Sequence, residues 1–455
     1  MAALGTAERP LRVAIVGSGP SGFYAAAPLL KHEAVCTIDM FERLPTPFGL
    51  VRGGVAPDHP KIRNVIKVYE KTARDPRFNL LANVKVGEDI TVEELRQYYD
   101  AIIFACGAET DRRLGIPGEE LAGSHTATAF VGWYNGHPDY RDLSFDLSQE
   151  VAVVIGVGNV AMDVARVLAK TVDELKHTDI AQHALDTLAE SKVREIHVVG
   201  RRGAAQAAFT PLEIKEMGAL EACDPVVDPA QLVLDPISEA ELSDNNKAKN
   251  VEHLRAFAER TPEKPRRMHF HFLASPVELR GVGRVESMLL GRNKLEGDTP
   301  FKLKARPTGE TFELPCGLVF RSIGYRGVPI PGVPFDERWG GIPNINGRVT
   351  ENDIPLQGLY AVGWIKRGPS GIIGTNKPDS LETVKLLLED AANLVPCETP
   401  STEAVLDMLK ARGVRVVTLD DWLKIDAAEI AAGEAVGKPR ERFTRVSEML
   451  GVLEA

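Results

Sequence analysis

The stretch LRVAIVGSGPSGFYAAAPLLKHEAVCTIDMFE, residues 11–42, carries the clearest fold signal in this 455-residue chain. An apolar run, 11–16, ends in three glycines spaced as GxGxxG, a helical segment follows, and a second apolar run ends at Glu42. This order of strand, glycine turn, helix, strand and acid is the fingerprint of a βαβ dinucleotide-binding unit. An acid in that position accepts hydrogen bonds from ribose hydroxyls and repels a 2′-phosphate. The pattern therefore favours FAD or NAD over NADP.

A second unit follows at VAVVIGVGNVAMDVARVLAKT, residues 151–171, where Ala161 takes the place of the third glycine. A later strand-like run, 195–199, leads to Arg201 and Arg202, which stand where the first unit has its acid. Guanidinium groups bind phosphate through two parallel hydrogen bonds. The second unit is therefore predicted to bind the 2′-phosphate of NADPH or NADP+, with a solvated basic turn as the alternative.

A third glycine-rich segment, GLYAVGWIKRGPSGIIGTNKPDS at 358–380, precedes a helical pattern. It resembles the second half of a flavin-binding domain, although an ordinary turn between a strand and a helix is the open alternative. We predict an α/β fold with two Rossmann-like dinucleotide-binding domains, in the glutathione reductase-like architecture. The predicted FAD domain comprises 1–110 and 325–455, and the NADP domain, 111–324, is inserted in it. Residues 396–455 are a C-terminal extension of helices and one strand, Val414–Leu419.

Between the first unit and the rest lies the loop PTPFGLVRGGVAPDHP, residues 45–60. Its prolines restrict the backbone, and its glycines permit close approach to a planar ring. We predict that this loop is a flavin cradle, whose apolar residues face the cofactor. Asp58 and His59 are expected near the reactive end of that cofactor.

Composition excludes several classes of function. The net charge of -10 argues against a nucleic-acid partner, and no apolar run is long enough to insert in a membrane, so a cytoplasmic protein is expected. The five cysteines contain no CxxC, which removes support for a dithiol centre or a cysteine-bound metal cluster. No metal-ligand spacing emerges either, and we interpret His269 and His271, on a strand-like segment, as structural. Redox chemistry therefore requires a bound organic cofactor.

The combination of VGSGPSGFYAA, PFGLVRGGVAPDHPKIRN, GNVAMDVAR, VGRRGAAQAAFT, RSIGYRG and GWIKRGPSGIIGTNK resembles the adrenodoxin reductase-type ferredoxin–NADP reductases, in particular their actinobacterial branch. The resemblance covers nearly the whole chain. It implies hydride transfer from NADPH to FAD, with the reverse direction open, and single-electron delivery to a small iron–sulfur ferredoxin that serves enzymes such as cytochromes P450. The chain departs from the family pattern at Met162 and at Ala204-Ala205, which are not ligating groups.

The glycine patterns and the resemblance together imply the site residues. The expected FAD contacts are Gly17, Gly19, Pro20, Ser21, Gly22, Glu42, Leu50, Val86, Trp364, Gly371, Ile372 and Ile373. The expected NADP contacts are Gly158, Asn159, Val160, Arg201, Arg202 and Glu213, with Gly371 close to both cofactors. His59 and Glu213 are the candidate catalytic residues, in an orienting or proton-network role; a structural salt bridge is the equally open alternative.

An acidic ferredoxin would need positive charge around the flavin edge, and the candidates are Arg52, Lys366, Arg367 and the pair Arg201–Arg202. One chain holds all the required sites, so we expect a monomer. Among rival classes, flavin disulfide reductases need a cysteine pair, and the small subunit of glutamate synthase needs cluster-binding cysteines; this chain has neither. A flavin monooxygenase, or an NADP-binding redox regulator without turnover, stays an alternative.

Overall fold

The computed structural model describes residues 3–454. Contacts divide the chain into two compact units. Unit 1 comprises the chain up to Thr110, Gly324–Val436 and the part from Arg440 onward, and unit 2 comprises Asp111–Ile323 and Gly437–Pro439. The assignment of unit 1 to FAD and of unit 2 to NADP remains a prediction from the sequence.

Strands and helices alternate along most of the chain. The strands are β1 (Leu11–Val16), β2 (Cys36–Glu42), β3 (Phe78–Ala82), β4 (Ala101–Phe104), β5 (Thr110–Asp111), β6 (Ser124–Thr126), β7 (Val151–Ile155), β8 (Glu195–Val199), β9 (Cys223–Val227), β10 (Arg266–His271), β11 (Ala274–Arg280), β12 (Ser287–Glu296), β13 (Lys304–Pro315), β14 (Leu318–Arg321), β15 (Tyr325–Arg326), β16 (Asn344–Ile345), β17 (Arg348–Glu351) and β18 (Ile354–Ala361). The α-helices are α1 (Pro20–Lys31), α2 (Leu50–Gly53), α3 (Pro60–Arg63), α4 (Ile66–Ala73), α5 (Val92–Tyr98), α6 (Ala127–Tyr134), α7 (Asn159–Ala169), α8 (Val172–Leu175), α9 (Gln182–Ala189), α10 (Pro211–Met217), α11 (Pro236–Ala240), α12 (Asn245–Ala258), α13 (Trp364–Arg367), α14 (Asn376–Asp390), α15 (Thr402–Ala411), α16 (Leu419–Glu434) and α17 (Val446–Gly451).

Unit 1 is built on a sheet with the strand order β16-β17-β18-β4-β1-β2-β3. The five strands from β18 to β3 are parallel, and β16 and β17 add an antiparallel edge. Alternate residues of β1 enter two different apolar cores: Val13 and Ile15 enter one, and Ala14 and Val16 the other. A continuous apolar run such as β1 is what a parallel strand needs when both sheet faces are covered.

Unit 2 contains a six-stranded parallel sheet in the order β6-β14-β7-β8-β10-β9, and a three-stranded antiparallel sheet of β11, β12 and β13. The residues of β7 again alternate between two cores: Ala152 and Val154 enter one, and Val153 and Ile155 the other. In each unit, the carboxyl ends of parallel strands meet at one sheet edge, which is where ligands bind in open α/β sheets.

The C-terminal extension forms α15, α16 and α17 and packs on unit 1, where Trp422, Ile425 and Met449 are buried in one of its cores. The predicted strand at 414–419 is wrong as an element. Only Val417 pairs, through an isolated antiparallel bridge in which it exchanges two 2.9 Å backbone hydrogen bonds with Ala82. A single bridge at the end of β3 satisfies those backbone groups, and α16 then begins at Leu419.

The predicted α/β class with nucleotide-binding sheets is confirmed. Among residues 3–454, no helix is long and apolar enough to cross a membrane. The cysteines are all free thiols, and four of the five are buried.

Candidate functional site

The glycine turn after β1 forms the first candidate site. Gly17 has a φ of 108°, and a Cβ placed on it would lie 2.6 Å from the carbonyl oxygen of Ala105. A Cβ on Gly22 would lie 2.3 Å from the carbonyl oxygen of Gly17, so the third glycine lets α1 approach the turn. Beside Gly19, by contrast, no atom lies within 4 Å of the Cβ position. The second glycine therefore leaves its backbone open to a ligand.

The N-terminus of α1 is the second part of this site. Pro20 occupies the first turn, and the N-cap, Gly19, supplies no side-chain hydrogen bond. The first backbone N–H groups of a helix have no intrahelical partner and attract anions. Ser21 lies against the turn before α13, because a Cβ on Gly363 would lie 2.0 Å from the Ser21 hydroxyl. Two glycine turns of unit 1 thus meet at one helix N-terminus.

Glu42 ends β2 beside the same turn. The Ser18 hydroxyl donates to one Glu42 oxygen at 2.6 Å, and the backbone N–H of Leu44 donates to the other at 3.1 Å. Burial raises the pKa of Glu42. Its carboxylate is therefore held in one orientation at the strand end, where a ribose hydroxyl binds in dinucleotide folds.

The 45–60 loop lies against the glycine turn. The backbone N–H of Phe48 donates to the Ser18 carbonyl at 3.1 Å, and a Cβ on Gly49 would lie 3.0 Å from the Cα of Gly19. The prediction that the apolar residues of the loop face the cofactor is wrong for Phe48 and Val51, and it stays a prediction for Leu50. Phe48 and Val51 are buried in the core, whereas Leu50 remains 38% exposed on the short helix α2.

Arg52, predicted to contribute to a docking surface, is instead bound inside unit 1. Its guanidinium donates to both carboxylate oxygens of Glu429 on α16, at 2.9 and 2.5 Å, and lies over the Trp422 ring. The sequence offered no signal for Glu429, because the two residues are far apart in the chain. Arg52 therefore fixes the loop rather than offering a free charge.

Val86 is buried in a turn closed by the hydrogen bond from the Gly87 N–H to the Ile90 carbonyl, at 2.8 Å.

Trp364 begins α13. Its ring stacks on Tyr325 with centroids 5.2 Å apart, and its indole N–H donates to the Ser370 carbonyl at 3.2 Å. The structure therefore places Trp364 on an ordered turn of unit 1.

The segment Gly371–Ile373 follows that turn and precedes α14. Gly371 has a φ of 80°, and Ile372 is 62% exposed. A planar ring with polar edges can bind such a segment, because the isoleucine contacts its face and backbone N–H groups donate to its edge. The segment therefore offers both apolar surface and backbone donors.

Lys366 and Arg367 do not form the predicted free basic patch. Lys366 is 8% exposed, and its ammonium lies 3.0 Å from Asp379 and 2.9 Å from Glu382. The Arg367 guanidinium donates to the Asn376 side chain at 2.8 Å. Asp379 also accepts the N–H of Gly363 at 2.6 Å, a role that the sequence did not reveal. These cations hold the turn before α14.

The glycine turn after β7 forms the corresponding site in unit 2. Gly156 has a φ of 131°, and a Cβ on it would lie 2.1 Å from the Ser322 carbonyl oxygen. Beside Gly158 no atom lies within 4 Å of the Cβ position. Asn159 and Val160 begin α7, and the Asn159 side-chain oxygen accepts the N–H of Thr210 at 2.9 Å. The turn is open at the second glycine, as in unit 1.

Arg201 and Arg202 follow β8 in the same unit. Arg201 is exposed, Arg202 is half-buried, and within residues 3–454 neither guanidinium forms an ion pair with a carboxylate. The only side-chain bond of Arg202 in that range is a long one, 3.5 Å, to the Gln206 carbonyl. Two guanidinium groups without acidic partners at a strand end can bind a phosphate.

Glu213, a candidate catalytic residue, lies on α10 and is 5% exposed. It accepts a hydrogen bond from Arg166 on α7 at 2.9 Å, and Arg166 is itself buried and also bound to Asp163 at 2.6 Å. Within unit 2 Glu213 thus has a salt-bridge partner. His59 is half-buried and immediately precedes α3 in unit 1. The catalytic roles of His59 and Glu213 stay predictions.

Comparison with known proteins yields several full-length matches. A family model described as "Pyridine nucleotide-disulphide oxidoreductase" matches residues 11–202. The NADPH-ferredoxin reductase FprA of Mycobacterium tuberculosis is 50% identical, covering 98% of this chain and 99% of that protein. The mitochondrial NADPH:adrenodoxin oxidoreductase of Homo sapiens is 44% identical, covering 98% and 93%. The solved structure of M. tuberculosis FprA in complex with NADPH has a TM-score of 0.93 at 48% identity, and the match covers 98% of this chain and 100% of that one.

Proposed function

Since this chain belongs to the family of adrenodoxin reductase-type ferredoxin–NADP reductases, we infer that it is an FAD-dependent oxidoreductase that takes electrons from NADPH and delivers them to a ferredoxin. One observation carries the inference from geometry. Each unit has a glycine turn whose second glycine has open space beside it. In unit 1 the strand β2 ends at Glu42, whereas in unit 2 the strand β8 is followed by Arg201 and Arg202, which have no acidic partners among residues 3–454. One chain thus has two different nucleotide sites.

The residues of unit 1 fit FAD. The open backbone beside Gly19 and the uncapped N-terminus of α1 suit a pyrophosphate, and Glu42 suits the adenosine ribose. Leu50 and Ile372 supply exposed apolar contacts for a ring system. FAD held by these residues would supply the two-electron and one-electron redox chemistry that side chains lack. The protein binds and orients the cofactor.

The residues of unit 2 fit NADPH. The N-terminus of α7 after Gly158 suits its pyrophosphate, and Arg201 with Arg202 suits the 2′-phosphate that distinguishes NADPH from NADH. We propose that Asn159 positions this turn, because its side chain binds the backbone of Thr210 in front of α10. His59 and Glu213 are proposed to orient the reacting groups.

The partner is a ferredoxin, and we propose that it is acidic. With Arg52 and Lys366 bound to internal carboxylates, the attraction must come from other cations of the chain. A series of salt concentrations tests the proposal, because screening weakens attraction between exposed charges. The KM for ferredoxin is expected to rise steeply with salt; a salt-independent KM would contradict an electrostatic contact.

We further propose that the protein is a monomer and is cytoplasmic. Light scattering on the purified protein tests the first statement, and cell fractionation tests the second.

One assay separates this function from its rivals. The purified protein should be yellow, should be bleached by NADPH without oxygen, and should reduce cytochrome c only when ferredoxin is added. A redox regulator without turnover would bind NADPH and show no catalysis, and a monooxygenase would consume NADPH with oxygen and an organic substrate. A disulfide reductase would need a reactive thiol, but burial raises the pKa of the Cys106 thiol to about 12, and the other four cysteines are buried.

A further inference from the structure

A cluster of three histidines and one glutamate lies on the parallel strands β8 and β10 of unit 2. Glu195 and His197 are on β8, and His269 and His271 are on β10. His197 is directly opposite His269 in the register, and alternate residues of a strand share one face. The four side chains therefore project from the same sheet face, while the residues between them are buried in the core on the other face. None of the four belongs to the predicted cofactor residues.

The side chains are close enough to act together. The three imidazole rings form a triangle: the His197 centroid lies 4.6 Å from that of His269 and 5.1 Å from that of His271, and the latter two are 6.4 Å apart. Nε2 of His269 lies 2.5 Å from Oε2 of Glu195, and one donor atom from each of Glu195, His197 and His269 lies within 4.8 Å of the others. Ligands of a tetrahedral Zn²⁺ with bonds of about 2.0–2.1 Å are separated by about 3.4 Å. Small side-chain rotations would bring the donor atoms to this separation.

We propose that Glu195, His197 and His269 bind one divalent transition-metal ion of the Zn²⁺ type, with His271 orienting His197. Two imidazoles and a carboxylate are a donor set that Zn²⁺, Cu²⁺ and Ni²⁺ accept, and Mg²⁺ and Ca²⁺ prefer all-oxygen sites. Nδ1 of His197 lies 2.8 Å from Nε2 of His271, which leaves the other nitrogen of His197 for the metal. Such outer contacts fix the tautomer of a ligating imidazole.

The surroundings of the cluster allow a metal ion to bind. Glu195 also contacts Arg267 at 3.4 Å, but the Arg267 side chain is 44% exposed and can turn to solvent. A metal ion would replace the positive partner of Glu195. The cluster thus offers a carboxylate and imidazoles at a half-exposed surface.

The test uses the full chain loaded with FAD, stripped of metal by a chelator and titrated with Zn²⁺ in a calorimeter. One Zn²⁺ per chain should bind, with Mg²⁺ unable to compete. His197→Gln and His269→Gln should each weaken binding by at least about tenfold, and His271→Asn by about ten- to a hundredfold. His177→Ala, an exposed histidine of the same unit, is the matched control and should change nothing.

Two outcomes would overturn the proposal: wild-type protein that does not saturate with Zn²⁺, or unchanged affinity in the doubly substituted His197→Gln, His269→Gln protein. Flavin content and circular dichroism of each variant report whether it has folded. A measurement on unmodified protein covers the case in which a variant does not fold. Cu²⁺ bound at the site should show hyperfine coupling to two imidazole nitrogens in its electron paramagnetic resonance spectrum, and a spectrum without nitrogen coupling would contradict the assignment.

Discussion

Arg52 of the 45–60 loop and Glu429 of the C-terminal extension form a bidentate ion pair with N–O distances of 2.9 and 2.5 Å. The Glu429 side chain is fully buried, and it also accepts from Arg440 at 3.1 Å and from the backbone N–H of Phe443 at 3.0 Å. Burial alone would raise the pKa of Glu429, but the attraction of these arginines outweighs it and the net pKa lies below the usual range. The extension thus holds the loop that carries Leu50.

Glu429→Ala should therefore destabilise unit 1 and loosen FAD. Removing one member of a buried pair leaves uncompensated charge and costs about 3–5 kcal/mol. The expected result is a lower unfolding temperature together with a lower FAD content after gel filtration. Glu434→Ala, an exposed change on the same helix, is the control and should leave both values unaltered. Normal FAD retention in a destabilised Glu429→Ala protein would show that the pair does not position the loop.

Leu50→Asp should weaken FAD binding without affecting the nucleotide site of unit 2. It removes apolar contact worth about 1.5–3 kcal/mol, which is about ten- to a hundredfold in affinity, and puts a charge where an apolar ring is proposed to bind. Flavin fluorescence measures the FAD dissociation constant, and calorimetry with 2′,5′-ADP measures the other site. Val68→Asp on α4, which is 57% exposed, controls for a new surface charge. Equal FAD affinity in Leu50→Asp and wild type would remove Leu50 from the site.

Arg201→Ala with Arg202→Ala should reduce the preference for NADPH over NADH. Hydrogen bonds between charged groups are worth about 1.5–3 kcal/mol, so the KM for NADPH should rise about ten- to a hundredfold. The KM for NADH, which lacks the 2′-phosphate, should stay nearly constant. Arg194→Ala, exposed at the opposite end of the same strand β8, is the control. A parallel rise of both KM values would instead indicate a general loss of the nucleotide site.

The sequence was sufficient for the features that rest on local rules. Glycine spacing, apolar runs and the residue that ends the second strand identify both βαβ units, because each depends on neighbours within one supersecondary motif. The open space beside Gly19 and Gly158 follows from the same rule. The fold class and the family are therefore predictable from the amino-acid sequence.

The sequence did not predict which distant side chains contact each other in the fold. In the sequence, Arg52 and Lys366 look like ordinary surface cations. In the fold, Arg52 pairs with Glu429 and Lys366 pairs with Asp379. The run 414–419 has a strand-like composition, but only Val417 finds a partner. From the sequence, His269 and His271 of β10 are interpreted as structural, because the parallel register that brings them beside His197 of β8 joins segments far apart in the chain.

His125 makes the stability of unit 2 depend on pH. Its ring lies on β6 among aromatic side chains, 4.7 Å from Phe145 and 5.8 Å from Phe320 between centroids. Burial, helped by the charge of Arg321, lowers the pKa of His125 to about 4. An unfolded chain with a histidine pKa of about 6.5 then binds more protons than the folded one between pH 6.5 and pH 4. The stability from neutral His125 is therefore complete above pH 6.5 and is lost as the pH falls toward 4.

His125→Leu should make the unfolding free energy less dependent on pH. Between pH 7 and pH 5, wild type should lose about 2 kcal/mol more than the variant, because leucine takes up no proton. Urea unfolding followed by circular dichroism at the two pH values measures the difference. His177→Gln removes an exposed histidine from the same unit and should keep the wild-type dependence. An identical loss in His125→Leu and wild type would mean that the ring is already protonated, or exposed to water, in the folded chain.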